Sequence, residues 1–441
     1  MGICRASLRP RTRRRDASAR RIVCALTLLA PLATPRTTGA QEAVAPLALD
    51  DCIRIALKQN ERLASAGYSV GAAQARRREV GTARLPNANL RAGASYAPIA
   101  GLDPALTEGG EYVALLDVDQ KLYDRTLRLD RRQADFEILQ AQQEHARAAV
   151  DLRLDVRLAY LDLFDAQRRR AIADQSIRDL ESYLGNVRAL ASAGEVPKTD
   201  VMKVEIQLQS EAVQRDDVAA AVQAGRVHLL EAMGLPLDGT IAIEDTFDLP
   251  PPPPGLDAAA NPEIQQAELG LRVSELGVQT ARAGRQPVLA FDGSFGAWTS
   301  RSQLLETDAP DVGGYIAGVS LEMPVWNWGA TSARIQQRTA ELNASRAEYR
   351  LLQRRLDAEY RDDRVRYEVA RGKLSRLEEN LHRALEQYGL IVSQYAGGGS
   401  SSLEVLDAHR SLLEVAVQRQ ETRTEVGRLQ AEMLHLTGVE P

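Results

Sequence analysis

The feature that most constrains this chain is an internal repeat. At an offset of 201, residues 60–97 fall on 261–298 without a gap. Asn60 meets Asn261, Leu63 meets Ile264, Ala66 meets Ala267, Arg84 meets Arg285 and Pro86 meets Pro287. At 203, Tyr112 meets Tyr315 and Arg131 meets Arg334; at 204, Gly194 meets Gly398, Leu208 meets Leu412 and Gly234 meets Gly438. The landmarks keep their order while the offset drifts by three residues. Self-similarity at a long, fixed period marks a fold built from repeated units. The fold must therefore be two copies of one plan.

The plan reads the same way in each copy. The first copy covers 41–249, the second 261–441, and a Pro-rich linker, 250–260, holds five consecutive prolines from Pro250 to Pro254. Such a linker is stiff and extended. Each copy opens with a helix, about 49–84 and about 261–285, with Pro86 or Pro287 just beyond, where a helix cannot continue. A β-hairpin follows, 87–122 and 287–323. Then comes a very long helix, about 124–192 and about 329–394. A tip turn, 193–198 and 396–402, leads to a last helix, about 199–233 and about 403–437. Gly234 and Gly438 stand at the C-caps. Near 70 residues at 1.5 Å each gives helices of roughly 100 Å, which need partners along their length. The returning helices supply them as antiparallel coiled-coil hairpins. Aromatics at 5% and charged residues at 26% suit such narrow apolar seams.

The N-terminus reads as a secretory signal, residues 1–40. Arg9, Arg11, Arg13, Arg14, Arg15, Arg20 and Arg21 precede an apolar run, Ile22 to Ala33, and Thr38-Gly39-Ala40 is a small-residue cleavage site. A basic nucleic-acid-binding arm is the alternative; the apolar run directly after the arginines favours the signal. Residues 1–40 carry +8 of a whole-chain charge of −5, so the remainder is −13, and no general attraction to nucleic acid is expected. Arg21-Ile22-Val23 before Cys24 is a poor lipidation box. Only Cys52 lies beyond the signal, so no intrachain disulfide or cysteine zinc site is expected. The histidines (145, 228, 382, 409, 435) lack metal-ligand spacing, and His409 is expected on a solvated helix surface. With no P-loop and no GxSxG, neither an enzyme nor a cofactor is expected. No run of 18 apolar residues occurs, so any membrane role must come from strands.

The strands alternate. Ala114, Leu116 and Val118 oppose Asp117 and Asp119; Ala317, Val319 and Leu321 oppose Ser320 and Glu322; Leu289, Phe291 and Phe295 oppose Asp292 and Ser294. Period-two patterning at about ten residues per strand suits an outer-membrane barrel; on pattern alone a soluble sandwich is also open. The loops at the hairpin tips, 99–111 and 299–313, are long and acidic. Four strands cannot close a barrel, and open edges in lipid leave backbone groups unsatisfied. Three copies would pool twelve strands.

With these features assembled, the chain resembles the TolC-like outer-membrane efflux proteins over essentially its whole length beyond the signal. The resemblance is carried by the duplicated order, the strand-end boxes DQKLYD (119–124) and EMPVWNWG (322–329), and the turn-plus-helix boxes AGEVPKTDVMKVEIQL (193–208) and AGGGSSSLEVLDAHRSLL (396–413). It implies a mainly α fold with a small β part. A homotrimer would carry a twelve-stranded barrel in outer-membrane lipid and a helical tunnel in the periplasm. At its tapered entrance a periplasmic adaptor and an inner-membrane transporter would dock, for efflux or type I secretion. A periplasmic coiled-coil adaptor or structural protein is the alternative. The resemblance also assigns residues. Glu404 and Asp407, three apart on one helix face, would ring the entrance as a cation-favouring constriction. Tyr395 and Asp200 would hold neighbouring hairpins closed. Ala193, Gly194, Glu195, Gly397, Gly398 and Gly399 would meet the adaptor. Asp117, Asp119, Asp292 and Glu322 would face the barrel lumen. Tyr123, Trp326 and Trp328 would sit at the membrane interface. Pro324 would turn the second strand into its helix, and Lys121 in the first copy implies a bend made without proline.

Overall fold

The structure, a computed structural model, describes residues 46–95, 111–247, 249–252, 254–257, 260–300 and 313–438. The signal segment lies outside these residues, as do the two acidic loops apart from their edges. In the first copy α1 is Leu49–Gln59, α2 Glu61–Thr82, β1 Asn87–Ser95, β2 Glu111–Tyr123, α3 Arg125–Ser192 and α4 Lys198–Met233. In the second, α5 is Pro262–Ala283, β3 Val288–Ser300, β4 Gly313–Glu322, α6 Ala330–Ala396 and α7 Ser402–Thr437.

The expected single helix of the first copy is broken at Asn60. The Asn60 side chain accepts from the Arg62 N–H and caps α2, so the chain leaves helical geometry for one residue. Asn261 does the same for α5, accepting from Glu263 and Ile264. Both asparagines also reach across to the end of the last helix in their copy. Asn60 Nδ2 donates to the Ala232 carbonyl at 2.9 Å and Asn261 Nδ2 to the Leu436 carbonyl at 2.7 Å. Two carbonyls that the helix end would leave unpaired are thereby satisfied. Gly234 and Gly438 close the same joints in left-handed conformation, φ 70° and 61°. A Cβ on Gly234 would lie 2.9 Å from Asn60 Cα, and one on Gly438 would lie 2.8 Å from the Ala260 carbonyl. Glycine is required there for both backbone angle and space.

The long helices, 68 and 67 residues, pair with α4 and α7, and α7 also packs on α3. Within the pairs the buried cores are apolar. Near the joints, Leu152, Val156, Tyr160, Leu163 and Phe164 of α3 pack with Cys52 and Ala56 of α1, Leu229 and Met233 of α4, and Ile241, Ile243 and Leu249. The second copy has a smaller equivalent: Ile264, Leu356, Tyr360, Met433 and Leu436. Between the pairs, along α3 and α7, the seam is polar nearer the joints and apolar at the tips, where Leu180, Leu184 and Val187 meet Val405 and Leu406. His435 Nε2 lies 2.8 Å from Asp151, Arg428 pairs with Asp162, Thr424 and Gln420 donate to Asp165, and Arg169 bridges to Glu421 at 3.0 Å.

The four strands form one antiparallel sheet in the order β1-β2-β3-β4. Pro86 and Pro287 stand immediately before β1 and β3, where a missing N–H is tolerated. β1 and β4 are the sheet's two edges.

Candidate functional site

Two places concentrate functional features: the sheet and the hairpin tips. The sheet's register puts Asn87 opposite Asp119, Asn89 opposite Asp117, Asp117 opposite Ser294, Asp119 opposite Asp292 and Val288 opposite Glu322. Side chains alternate across a pleated sheet, so Asp117, Asp119, Asp292 and Glu322 share one face. Three of these carboxylates have a partner in the sheet: Ser294 Oγ donates to Asp117 at 2.7 Å, Asn87 to Asp119 at 3.3 Å and Ser320 to Asp292 at 3.0 Å. Arg91 bridges to Asp117 at 3.2 Å. Towards the hairpin loops this face turns apolar, with Val113, Leu115 and Ile316.

The opposite face is apolar throughout its middle: Leu90, Leu116, Phe291, Phe295, Val319 and Leu321. Leu90 is 77% exposed, Phe295 65% and Leu321 70%. A contiguous apolar face this open needs an apolar surrounding. Among the described residues no helix is long and apolar enough to cross a membrane. Gly296 in β3 lies so close to β2 that a Cβ would stand 2.0 Å from the Ala114 carbonyl.

The strand-end boxes differ in detail. In the first copy, Asp124 caps α3 directly after β2, its Oδ1 accepting from the Thr126 N–H at 2.8 Å. Lys121 bridges to the same carboxylate at 3.3 Å. In the second copy β4 stops at Glu322, before Pro324, and the turn into α6 comes later, at Trp328 (φ 54°) and Gly329 (φ 81°). The expectation that Pro324 makes this turn is therefore corrected: the proline follows the strand end, and two left-handed residues start the helix. Trp326 and Trp328 are 76% and 89% exposed and pack edge to face at 5.8 Å. The Tyr123 hydroxyl donates to Gln286 at 3.4 Å.

At the tips, α3 and α6 end in matching turns. Gly194 and Gly398 are left-handed, φ 79° and 74°, and the N–H groups of Glu195 and Gly399 reach back to the carbonyls of Leu190 and Gln394. This is a glycine-dependent helix stop. It leaves Ala193, Gly194, Glu195, Gly397, Gly398 and Gly399 exposed. Glu404 is exposed, and its carboxylate accepts from the Ser401 N–H at 2.7 Å while Ser401 Oγ accepts from Glu404 N–H, a reciprocal capping box. Asp407, one turn on, is exposed and bonds Arg410 at 3.4 Å.

Tyr395 is buried and meets Tyr183 edge to face at 5.3 Å, inside a cluster with Leu180, Val187, Val204 and Val405. Burial raises both phenols, and the charge of Asp200 raises them further. Asp200 itself bridges to Lys203 at 3.0 Å. The hydroxyls of Tyr183, Tyr395 and Ser402 are buried together in this cluster.

The expectation for His409 is overturned. It is 2% exposed, its Nε2 lies 3.2 Å from Ser176 Oγ, and its ring meets Tyr388 edge to face at 5.5 Å. Burial pushes its imidazole below its ordinary value, against the opposing charges of Glu211 and Asp179. Among the described residues no group of His, Cys, Asp and Glu could hold a metal ion.

Residues 256–439 match the family described as "Outer membrane efflux protein". The outer membrane efflux protein BepC of Brucella suis biovar 1 is 21% identical over 64% of this chain, a match that spans 61% of that protein. The proteases secretion protein PrtF of Dickeya chrysanthemi is 25% identical, over 84% of this chain and 85% of that one. The Campylobacter jejuni CmeC outer membrane channel shares the fold with a TM-score of 0.77 at 16% identity, over 88% of this chain and 85% of that one. The family match covers the second copy, the internal repeat extends the same plan to the first, and the fold is that of solved outer-membrane channels: the chain is similar throughout to the TolC-like outer-membrane efflux proteins.

Proposed function

We propose that three copies of this chain form an outer-membrane exit duct, carrying substrates from an inner-membrane transporter and its periplasmic adaptor to the exterior, in efflux or type I secretion. One observation carries the reading: a four-stranded sheet with one apolar exposed face and two lateral edges, β1 and β4, free to pair. Lipid tolerates no open edge. Three such sheets joined edge to edge give twelve strands, within the range of closed barrels. The apolar face then meets lipid, and Asp117, Asp119, Asp292 and Glu322 line the lumen. Trp326, Trp328 and Tyr123, at the strand ends nearest the helices, form the inner aromatic girdle.

Below the barrel the helices of three copies make the tunnel wall, roughly 100 Å long. The exposed glycine turns at 194 and 397–399 are the adaptor-facing tips. Glu404 and Asp407 ring the entrance, up to six carboxylates in threefold symmetry, and favour cations. Tyr395 and Asp200, with Tyr183, sit where packing sets the spacing of adjacent hairpins.

Reconstitution in planar bilayers tests the reading. Discrete channels that prefer cations and are blocked by multivalent cations from the tip side are expected. Glu404→Ala with Asp407→Ala should reduce both properties. Unchanged selectivity and block would remove the ring. Recovery of the chain from the soluble periplasm without detergent would sink the duct itself.

A further inference from the structure

The helical wall holds a cleft that the duct does not use. It lies between α3, α6 and α7, has a volume of about 380 Å³, and is mostly apolar. That falls in the range of small-molecule pockets, about 300–1,000 Å³. Ile172, Leu381, Leu385, Leu412 and Leu413 form its body. From His409 to Arg423 the cleft follows 14 residues of α7, roughly 21 Å.

Its two ends differ in chemistry. One end is closed by Ser176 and the buried His409, whose Nδ1 has no partner. The other end gathers three guanidinium groups, Arg168, Arg419 and Arg423. Arg168 is matched by Asp245 at 3.1 Å and Arg419 by Glu378 at 3.6 Å. Among the described residues no carboxylate lies within ion-pair distance of Arg423. It rests on the rings of Phe164 and Phe247, at 5.4 and 5.5 Å. The Nε–H groups of Arg168 and Arg419 are buried and unpartnered. Burial, then the charges of Arg419 and Arg168, push the Arg423 guanidinium below its ordinary range, against the opposing charges of Glu378 and Asp245. At this end three guanidinium groups share two carboxylates, Asp245 and Glu378, which leaves one positive charge in excess; the cleft's own carboxylate, Asp179, belongs to the His409 end.

We propose that this cleft binds a single-chain amphipathic anion, its carboxylate or sulfate head on Arg423 and its aliphatic tail along Leu381, Leu385, Leu412 and Leu413. A monoanion balances the one positive charge in excess. A neutral head leaves the charge uncompensated, and a cationic head is repelled. The site is independent of the duct reading, since binding is read without conductance.

The test uses the full chain, assembled in nanodiscs of zwitterionic lipid, with 11-(dansylamino)undecanoic acid as probe and empty discs as reference. One saturable site per chain is expected, displaced by dodecyl sulfate and not by dodecyl maltoside or dodecyltrimethylammonium. Arg423→Gln should weaken binding at least tenfold, Arg423→Lys less than threefold, and Ala416→Trp, which fills the trough, should abolish it. If Arg423→Gln does not assemble, the Lys and Trp variants decide. The proposal is overturned if the wild-type chain shows no saturable binding, if the cationic amphiphile competes as well as the sulfate, or if Ala416→Trp binds as the wild type does.

Discussion

The two copies of the repeat solve one problem differently. Each must turn a membrane-length strand into a long helix, and the offset of 203 is the same on both sides of the junction, so no residue has been inserted. Lys121 and Pro324 are equivalent. Lys121 keeps its N–H, and β2 pairs with Ala290 and continues, through a register shift, to Tyr123. Pro324 has no N–H, and β4 ends two residues earlier at Glu322. The first copy then starts its helix at once on the Asp124 side chain. The second reaches its helix through left-handed Trp328 and Gly329, with no side-chain cap on Gly329. The first junction rests on side-chain bonds and the second on backbone angle. By contrast, the joints at Asn60–Gly234 and Asn261–Gly438 are built alike in both copies.

The comparison can be broken most severely at the shared joint. Gly234→Val and Gly438→Val each add a clash and a strained left-handed angle. Each should cost on the order of 3 kcal/mol or more, read as a large fall in the melting temperature of the helical signal. If only one is damaging, the joints are not equivalent. The next largest effect is at the caps. Asn261→Ala removes three hydrogen bonds from a buried side chain and should cost about 2 kcal/mol; Asn60→Ala, half-buried with two, should cost about 1 kcal/mol. Equal losses would show that burial does not set the difference.

At the unlike junctions the effects are smaller and opposite in kind. Asp124→Ala should cost about 1 kcal/mol, the usual loss of an N-cap. Its counterpart Asn327→Ala should cost less than about 0.5 kcal/mol, because Asn327 does not cap α6. A deep loss at Asn327 in the same melting assay would contradict the backbone-based start of α6. The smallest expected effect is a pH dependence in the wall. His409 is buried in its neutral form with a lowered value, so the unfolded chain binds its proton first as pH falls. Stability from this group is complete above about pH 6.5 and is lost as pH drops towards the folded value. His409→Gln should flatten the melting temperature between pH 7 and 5; an unchanged slope would place the acid sensitivity elsewhere.

Much of this architecture was legible because it rests on local signals. The helix stops at Gly194, Gly234, Gly398 and Gly438 need a left-handed residue, and the sequence shows glycine there. The shared face of Asp117, Asp119, Asp292 and Glu322 follows from alternation by two. The break at Asn60 was available in the same way, as an Asn followed by an acidic first turn, but the run of good helix formers on both sides masks it. Glu404 carries two readings. Ser401-x-x-Glu404 is a capping-box pattern, and the carboxylate that the family resemblance sends to the entrance ring also holds an N–H at its own helix start. His409 was not legible at all. A lone histidine on a long amphipathic helix gives no sign of which side it faces until α3 and α6 are packed against it.

The sheet's two unpaired edges set the order of events in assembly. A single copy placed in a bilayer would expose two rows of unsatisfied backbone groups to hydrocarbon, each costing several kcal/mol. In the proposed trimer, no chain can therefore commit to the membrane alone: insertion and association become one step, steep in protein concentration. The same logic makes the barrel intolerant of mixtures. One chain with a defective β1 or β4 edge leaves the ring unclosed and takes two sound chains out of service with it, so damage at an edge should be dominant where damage elsewhere is recessive.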